Sequence, residues 1–133
     1  MSTEANKNLV RKLFDECFNQ RAFALVDELV APDFVGHFLG GSPAMQGREG
    51  FRDWMTGVFA AFPDWRGALD DVIAEGDRVA FRWTVEGTPE GQAGAGRITQ
   101  HGVEICRYAD GILAELWHCQ ATAPLQPAAA ATT

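Results

Sequence analysis

The sequence predicts an α+β domain in which helices cover one face of a strongly curved, mostly antiparallel sheet. Apolar residues repeat at helical spacing up to Pro63 and alternate with polar residues beyond it. The dipeptide Asp110-Gly111 lies between two alternating runs and predicts a closing hairpin. Helices that precede a run of antiparallel strands are typical of an α+β domain.

Three amphipathic segments predict the helices. The first begins just after the second or third residue and ends before residues 19–21, and its apolar residues repeat at helical spacing. A shorter segment begins at Phe23 and ends before Pro32. The third extends from Phe51 to Phe62 and is stopped by Pro63.

Alternation with a period of two predicts the strands. Residues 33–38 form a short first strand, and residues 67–75 and 79–86 form two longer ones around a Gly76-Asp77 turn. The third of these strands has one wholly apolar face, as expected for a sheet that packs on one side only. A glycine-rich segment, residues 87–96, joins it to the final hairpin.

The final hairpin is predicted to form a wall of a polar-studded pocket. A three-residue loop places Tyr108 opposite Ile112, and a two-residue loop would shift the pairing by one. With the three-residue loop, one face carries a mixed set of apolar and polar side chains. These are His101, Val103, Ile105, Arg107, Leu113, Glu115, Trp117, Cys119 and Ala121.

The length of the chain limits the number of domains, and its net charge limits the kinds of partner. The 133-residue chain is predicted to form one domain, residues 1–123, with a disordered tail at residues 124–133. Its net charge of −7 and the absence of lysine or arginine clusters argue against nucleic acid and anionic membranes as partners. The N-terminus lacks a signal peptide's apolar run, and no segment approaches the length of a membrane span. A cytoplasmic location is therefore expected.

The three cysteines are expected to be small buried thiols in a reducing compartment. Cys17, Cys106 and Cys119 are odd in number and lie inside a predicted helix and predicted strands. This pattern does not suit a disulfide framework.

Several motifs resemble the SnoaL-like polyketide cyclase family of the nuclear transport factor 2-like superfamily. They are FPDW at 62–65, DVIAEGDRV at 71–79, RWTV at 82–85, RYADGI at 107–112 with Trp117, and DFV at 33–35 with His37. The resemblance covers residues 8–125. It implies a cone-shaped barrel in which three N-terminal helices and the curved sheet enclose a pocket. It also implies cofactor-independent acid–base chemistry on a hydrophobic carbonyl substrate, as in a cyclase or isomerase.

The sequence departs from the family at the positions that carry its chemistry. Characterised cyclases of the family have an aspartate acid/base four residues after the tryptophan that matches Trp117, and here that position is Ala121. Their companion histidine matches Arg107. Pro89 replaces another customary histidine, in a shortened loop. Catalysis by other residues and a non-catalytic, ligand-binding or accessory role therefore both stay open.

The remaining polar residues of the predicted pocket are the candidates for catalysis. His101 is the candidate general base, and His37 is placed at the pocket mouth. Arg107 would stabilise an enolate or carbonyl oxygen while Glu115 or His101 moves a proton. In the alternative interpretation His101 is an exposed rim residue, His37 bonds to backbone, and Arg107 and Glu115 form a structural ion pair. His118, of opposite parity to Trp117, is predicted to face outward or into a dimer contact.

A hydrophobic or aromatic small molecule is the expected ligand. Trp54, Trp83 and Trp117, together with Cys119 and Ala121, are predicted to form a flat pocket for an aromatic or polycyclic compound, although such aromatics also occur as plain core. The three histidines lack the spacing of metal ligands, and neither a metal nor a cofactor is indicated. A homodimer is predicted through outward-facing Ile112, Leu116 and Cys106.

Overall fold

The structure confirms the α+β fold class. The computed structural model describes residues 2–41, 43–92, 94 and 96–121, so the predicted tail, residues 124–133, lies outside the described residues. In chain order the elements are α1 (Thr3–Lys12), a π-helical segment (Leu13–Phe18), a 3₁₀ turn (Phe23–Leu25), α2 (Val26–Leu29), β1 (Val30–Phe38), β2 (Met45–Gln46), α3 (Gly47–Ala61), β3 (Arg66–Glu75), β4 (Arg78–Gly87), β5 (Ile98–Ala109) and β6 (Ile112–Gln120).

One six-stranded sheet forms the frame of the domain, in the strand order β2-β1-β6-β5-β4-β3. Its strand pairs are antiparallel except β1 and β6, which run parallel. The sheet curves around the helices without closing into a complete barrel, so the predicted cone is an open one. None of the helices in the described part of the chain is long and apolar enough to span a membrane.

Polar side chains lie at both ends of the helical run that α1 and the π-helical segment form together. The Ser2 hydroxyl accepts a hydrogen bond from the Ala5 N–H at 3.0 Å, which caps α1 at the predicted start. The π-helical segment continues α1 and ends at Phe18, and Asn19 follows it as the C-cap. The Asn19 side chain then bonds both the N–H and the C=O of Gly67 on β3, each at 2.9 Å. These bonds attach the helical layer to the sheet.

Helix α3 packs its apolar stripe against the sheet and the π-helical segment. Phe51 and Met55 are completely buried, while Trp54 and Val58 lie beside them on the helix and are partly exposed. The helix ends at Ala61, as the proline two residues later requires. The predicted spacing of this helix is therefore confirmed.

The turn of the final hairpin differs from the predicted one. Asp110 and Gly111 have φ angles of 51° and 79°, so both central residues are left-handed. This is the backbone of a two-residue turn whose twist matches the flanking strands. Ala109 pairs with Ile112 and Tyr108 with Leu113. The prediction of a three-residue loop is wrong.

A β-bulge in β6 then resets the register. Arg107 pairs with Glu115, which leaves Ala114 as one extra residue on β6. Because of this extra residue Leu113 and Leu116, three positions apart, are both fully buried. Without the bulge, strict alternation would turn one of them toward solvent.

The burial of the side chains shows that the side of the hairpin facing the helices is the opposite of the predicted one. This inner face of β5 and β6 carries Glu104, Cys106, Tyr108, Leu116 and His118, all buried or mostly buried. The outer face carries the hairpin residues that were expected to line a pocket, except Leu113, which is fully buried. Leu116 and Cys106 are core residues with no exposed surface, so their predicted role in a dimer contact is wrong.

The cysteines differ in accessibility, and this predicts selective labelling. Cys17 and Cys106 are buried, and burial raises the pKa of both thiols, that of Cys17 to about 11. Cys119 is exposed, contrary to the expectation that all three are buried. We expect iodoacetamide at pH 8 to alkylate native protein at Cys119 alone, as measured by intact mass, because only an accessible thiolate reacts. Cys119→Ser protein should take up no label, and comparably fast labelling of a second thiol in native protein would contradict the expectation.

Candidate active site

A cavity of about 120 Å³ lies between the helices and the inner face of the sheet. Its wall is largely apolar and includes Phe14 of the π-helical segment, Val58 of α3 and Phe81 of β4. The polar part of the wall is concentrated on β5 and β6, where four side chains reach the cavity: Gln100, Glu104, His118 and Gln120.

The burial of these side chains shows where the cavity opens. Along β6, Leu116 is fully buried, His118 keeps 15% of its side chain exposed, and Gln120 is exposed. Along β5, Glu104 is buried and Gln100 is half-buried. The mouth of the cavity therefore lies at the start of β5 and the end of β6. The Glu104 carboxylate and the His118 imidazole lie just inside it.

His118 and Glu104 form a buried pair in the cavity wall. They are directly opposite each other in the β5–β6 register, and Nδ1 of His118 lies 2.8 Å from Oε1 of Glu104. An ionised carboxylate only accepts, so the imidazole Nδ1–H donates to it and Nε2 carries the free lone pair. No hydrogen bond joins Nε2 to any other residue in the described part of the chain. A histidine arranged in this way is prepared to accept a proton.

Aromatic rings fix the orientation of the His118 imidazole. Trp83 stacks nearly parallel to it, with the ring centroids 5.5 Å apart and the planes at 18°. Trp54 and Phe38 meet it edge-on, at 5.4 Å and 5.7 Å. Packing on several sides and the bond to Glu104 together leave the ring little freedom, as a positioned catalytic group requires.

Gly102 makes the position of Trp83 possible. A Cβ at Gly102 would lie 2.0 Å from Cζ2 of Trp83 and 2.6 Å from the Cys119 carbonyl oxygen. The indole therefore occupies the space that the side chain of any residue other than glycine at position 102 would fill. Its Nε1–H is buried and has no acceptor among the described residues.

Two of the predicted site residues line the cavity and seven do not. Trp54 and Trp83 belong to the cavity wall, in agreement with the predicted pocket. The prediction that the others line a pocket is wrong, because the face that they share lies away from the helices and their side chains lie on the outer face or at the rim. These are His37, His101, Arg107, Glu115, Trp117, Cys119 and Ala121.

Four of the misplaced residues form a separate polar cluster on the outer face. Nε2 of His37 donates to Glu115 at 2.7 Å, and Arg107 pairs with the same carboxylate at 3.2 Å. The predicted ion pair is therefore present, although directly across the strands rather than diagonal. The His37 ring stacks on Trp117 at 5.4 Å. This geometry supports the structural interpretation of the pair.

The outer cluster makes a pH-dependent contribution to stability. The hydrogen bond from His37, followed by that from Arg107, lowers the pKa of the Glu115 carboxyl below its ordinary 4.5, although partial burial acts the other way. A lowered folded-state pKa stabilises the fold above pH 4.5, and the contribution is lost as the pH falls through the folded-state value. We expect Glu115→Gln to cost about 1 kcal/mol at pH 7 and clearly less at pH 3, as measured by urea unfolding.

A second substitution tests the cause of this effect. In a His37→Gln background the pH-dependent part of the Glu115→Gln cost should shrink, because the His37 hydrogen bond is the largest contribution. An equal cost of Glu115→Gln at pH 7 and pH 3 would contradict the assignment.

Sequence reasoning missed Glu104 and His118 as site residues. The prediction that His118 faces outward, because its parity is opposite to that of Trp117, is wrong. The sequence did contain a signal for the correct inner face. Cys106, Tyr108 and Leu116 form a more apolar set than the face that was predicted to line the pocket. Among the described residues no group of three or more histidine, cysteine or acidic side chains is arranged to hold a metal ion.

Comparisons with known proteins agree with this architecture. A family model described as SnoaL-like polyketide cyclase matches residues 8–127. No curated protein sequence matches the chain. Among solved structures, a proposed SnoaL-like polyketide cyclase from Jannaschia sp. CCS1 is 23% identical and superposes with a TM-score of 0.77, covering 89% of this chain and 86% of its own.

Two Streptomyces structures are slightly more similar in sequence. AclR, a proposed hydroxylase from Streptomyces galilaeus, is 27% identical with a TM-score of 0.76, covering 90% of this chain and 91% of its own. IdmH, a proposed polyketide cyclase from Streptomyces antibioticus, is 26% identical with a TM-score of 0.74, covering 86% and 91%. With the family model spanning nearly the whole domain, the resemblance found in the sequence motifs is confirmed: the chain belongs to the family of SnoaL-like polyketide cyclases.

Proposed function

We propose that this protein is a cofactor-independent enzyme that moves a proton on a hydrophobic carbonyl compound, as a cyclase or isomerase does. The observation that carries the proposal is the His118–Glu104 pair, 2.8 Å apart, in the wall of an apolar cavity. Two of the similar structures are proposed enzymes, a polyketide cyclase and a hydroxylase, which supports catalysis over binding alone.

The chemistry would use His118 as the general base. Its Nε2 takes a proton from the carbon next to the substrate carbonyl, which leaves an enolate and an imidazolium. Glu104 holds the imidazole in the required tautomer and stabilises the imidazolium. The imidazolium then returns the proton to carbon, which isomerises the substrate, or to the alkoxide that forms when the enolate attacks a second carbonyl, which closes a ring.

The test is proton exchange on simple ketones in heavy water. Deuterium incorporation next to the carbonyl, followed by NMR, reports the first step without knowledge of the natural substrate. We expect incorporation above the buffer rate with native protein and its loss with His118→Ala. Ketones that bind but never exchange faster than in buffer would refute the proposal.

A non-catalytic binding protein is the second candidate. It is favoured by one specific observation, the alanine at the family's acid/base position: Ala121 is exposed at the rim and its N–H bonds to the His101 carbonyl. A ligand that binds saturably without proton exchange, and with an affinity that Glu104→Gln leaves unchanged, would establish this alternative.

A homodimer through the outer face of the sheet remains a proposal, now with different residues. Ile73, Val103 and Ile105 are 67%, 48% and 37% exposed there. Acidic and basic side chains surround them on the same face, among them Asp71 and Arg82, so two copies related by a two-fold axis would meet with opposite charges. Light scattering should give about twice 14.5 kDa, and Ile105→Lys should give monomers. A native monomer at micromolar concentration would contradict the dimer.

A further inference from the structure

The size of the cavity limits what can enter it. Its volume of about 120 Å³ is somewhat below the roughly 150 Å³ of an engineered apolar cavity that binds benzene. Apolar side chains from α1, the π-helical segment and the sheet close its inner end, because Val10 is completely buried and Phe14 and Phe81 nearly so. A single ring fills such a space, whereas fused rings fit entirely within it only by displacing core side chains.

The charge of the wall limits the ligand further. No lysine or arginine is among the described residues that line the cavity, while the Glu104 carboxylate lies in its wall and the whole chain carries −7. A ligand carboxylate would lose its hydration next to another carboxylate and would meet no lysine or arginine that offsets this loss. The cavity therefore disfavours acids and favours neutral compounds.

The polar groups of the wall indicate what the neutral ligand carries. Nε2 of His118 is an acceptor without a partner among the described residues, and it lies in the cavity wall beside the Trp83 ring. The acidic C–H next to a carbonyl group offers a proton to this acceptor, so a carbonyl compound suits the histidine.

We propose that the substrate class of this cavity is a neutral, single-ring carbonyl compound, and that fused-ring compounds and carboxylates are excluded. This rests on the proposed function of the same cavity. It narrows the sequence-based expectation of an aromatic or polycyclic ligand to one ring.

Three probes of different size and charge test the proposal. Acetophenone is neutral with one ring, benzoate is its charged counterpart, and anthraquinone is neutral with three fused rings. Binding is followed by tryptophan fluorescence and calorimetry, since Trp54, Trp65 and Trp83 line the cavity. We expect acetophenone to bind at least about tenfold more tightly than either of the others, a difference of about 1.4 kcal/mol.

Val58 offers a matched pair of variants because it is only partly buried and lines the cavity from α3. Val58→Phe should abolish acetophenone binding by filling the space, and Val58→Ala should narrow the gap between acetophenone and anthraquinone by enlarging it. Both proteins are first checked for native circular dichroism. An unchanged acetophenone affinity in folded Val58→Phe would show that the ligand lies elsewhere and overturn the proposal.

The remaining outcomes separate this inference from the proposed function. Benzoate or anthraquinone binding as tightly as acetophenone overturns the substrate class, as does failure of acetophenone to bind. Selective acetophenone binding without exchange of its methyl protons supports the substrate class and refutes the proton-transfer function.

Discussion

Replacement of His118 by alanine is expected to lower turnover, or ketone proton exchange, by about 10²–10⁴-fold, the usual contribution of a general acid–base group. The loss should appear in kcat rather than KM, because the apolar wall that binds the substrate is retained. Glu104→Gln should reduce kcat less, since an amide still accepts the Nδ1–H hydrogen bond but no longer stabilises the imidazolium. Both rates are measured by deuterium incorporation at saturating ketone.

His101→Ala is the matched control for this prediction. His101 is also a histidine on the final hairpin, but its side chain is exposed and lies 3.1 Å from the Thr84 hydroxyl on the outer face. Its removal should leave exchange at the native rate. Native exchange in His118→Ala, or a comparable loss in His101→Ala, would overturn the assignment of the base.

The helices and β4 were predictable because their patterns are regular. Phe51 and Met55 repeat at the spacing of one helical turn, and Val79 and Phe81 alternate strictly on a strand whose other face is solvated. In these elements the period alone selects the buried side. Sequence motifs also identified the family, because they extend over nearly the whole domain.

The candidate site was not predicted because the wrong face of the final hairpin was taken as the inner one. The two-residue turn shifts the β5–β6 pairing by one residue and the bulge in β6 shifts it by one more, so the two differences cancel in parity beyond the bulge. The residues grouped with Arg107 and Glu115 therefore share one face, as predicted, but that face lies away from the helices. Alternation defines two faces without saying which one the helices cover, so His118 and Glu104 were placed outside and His101 and Arg107 inside, the reverse of the structure.

Close packing of Trp83 over Gly102 predicts the largest stability effect of a single added methyl group. A Cβ at residue 102 would lie well inside the contact distance of both an aromatic carbon of Trp83 and the Cys119 carbonyl oxygen. The oxygen belongs to the paired backbone of β6, so it cannot move away without breaking the sheet. The indole would have to shift instead, toward the cavity and the His118 ring that it stacks on.

Gly102→Ala is therefore expected to lower the free energy of unfolding by about 3 kcal/mol, at the upper end of the usual cost of overpacking, and to weaken ketone binding. Urea unfolding and calorimetry measure the two effects. Gly57→Ala is the control: this helical glycine has no neighbour within 4 Å of an added Cβ, and the change should stabilise the protein by about 0.5–1 kcal/mol because alanine favours the helix. Gly102→Ala protein with native stability and native ketone affinity would show that Trp83 does not hold the position on which the shape of the cavity depends.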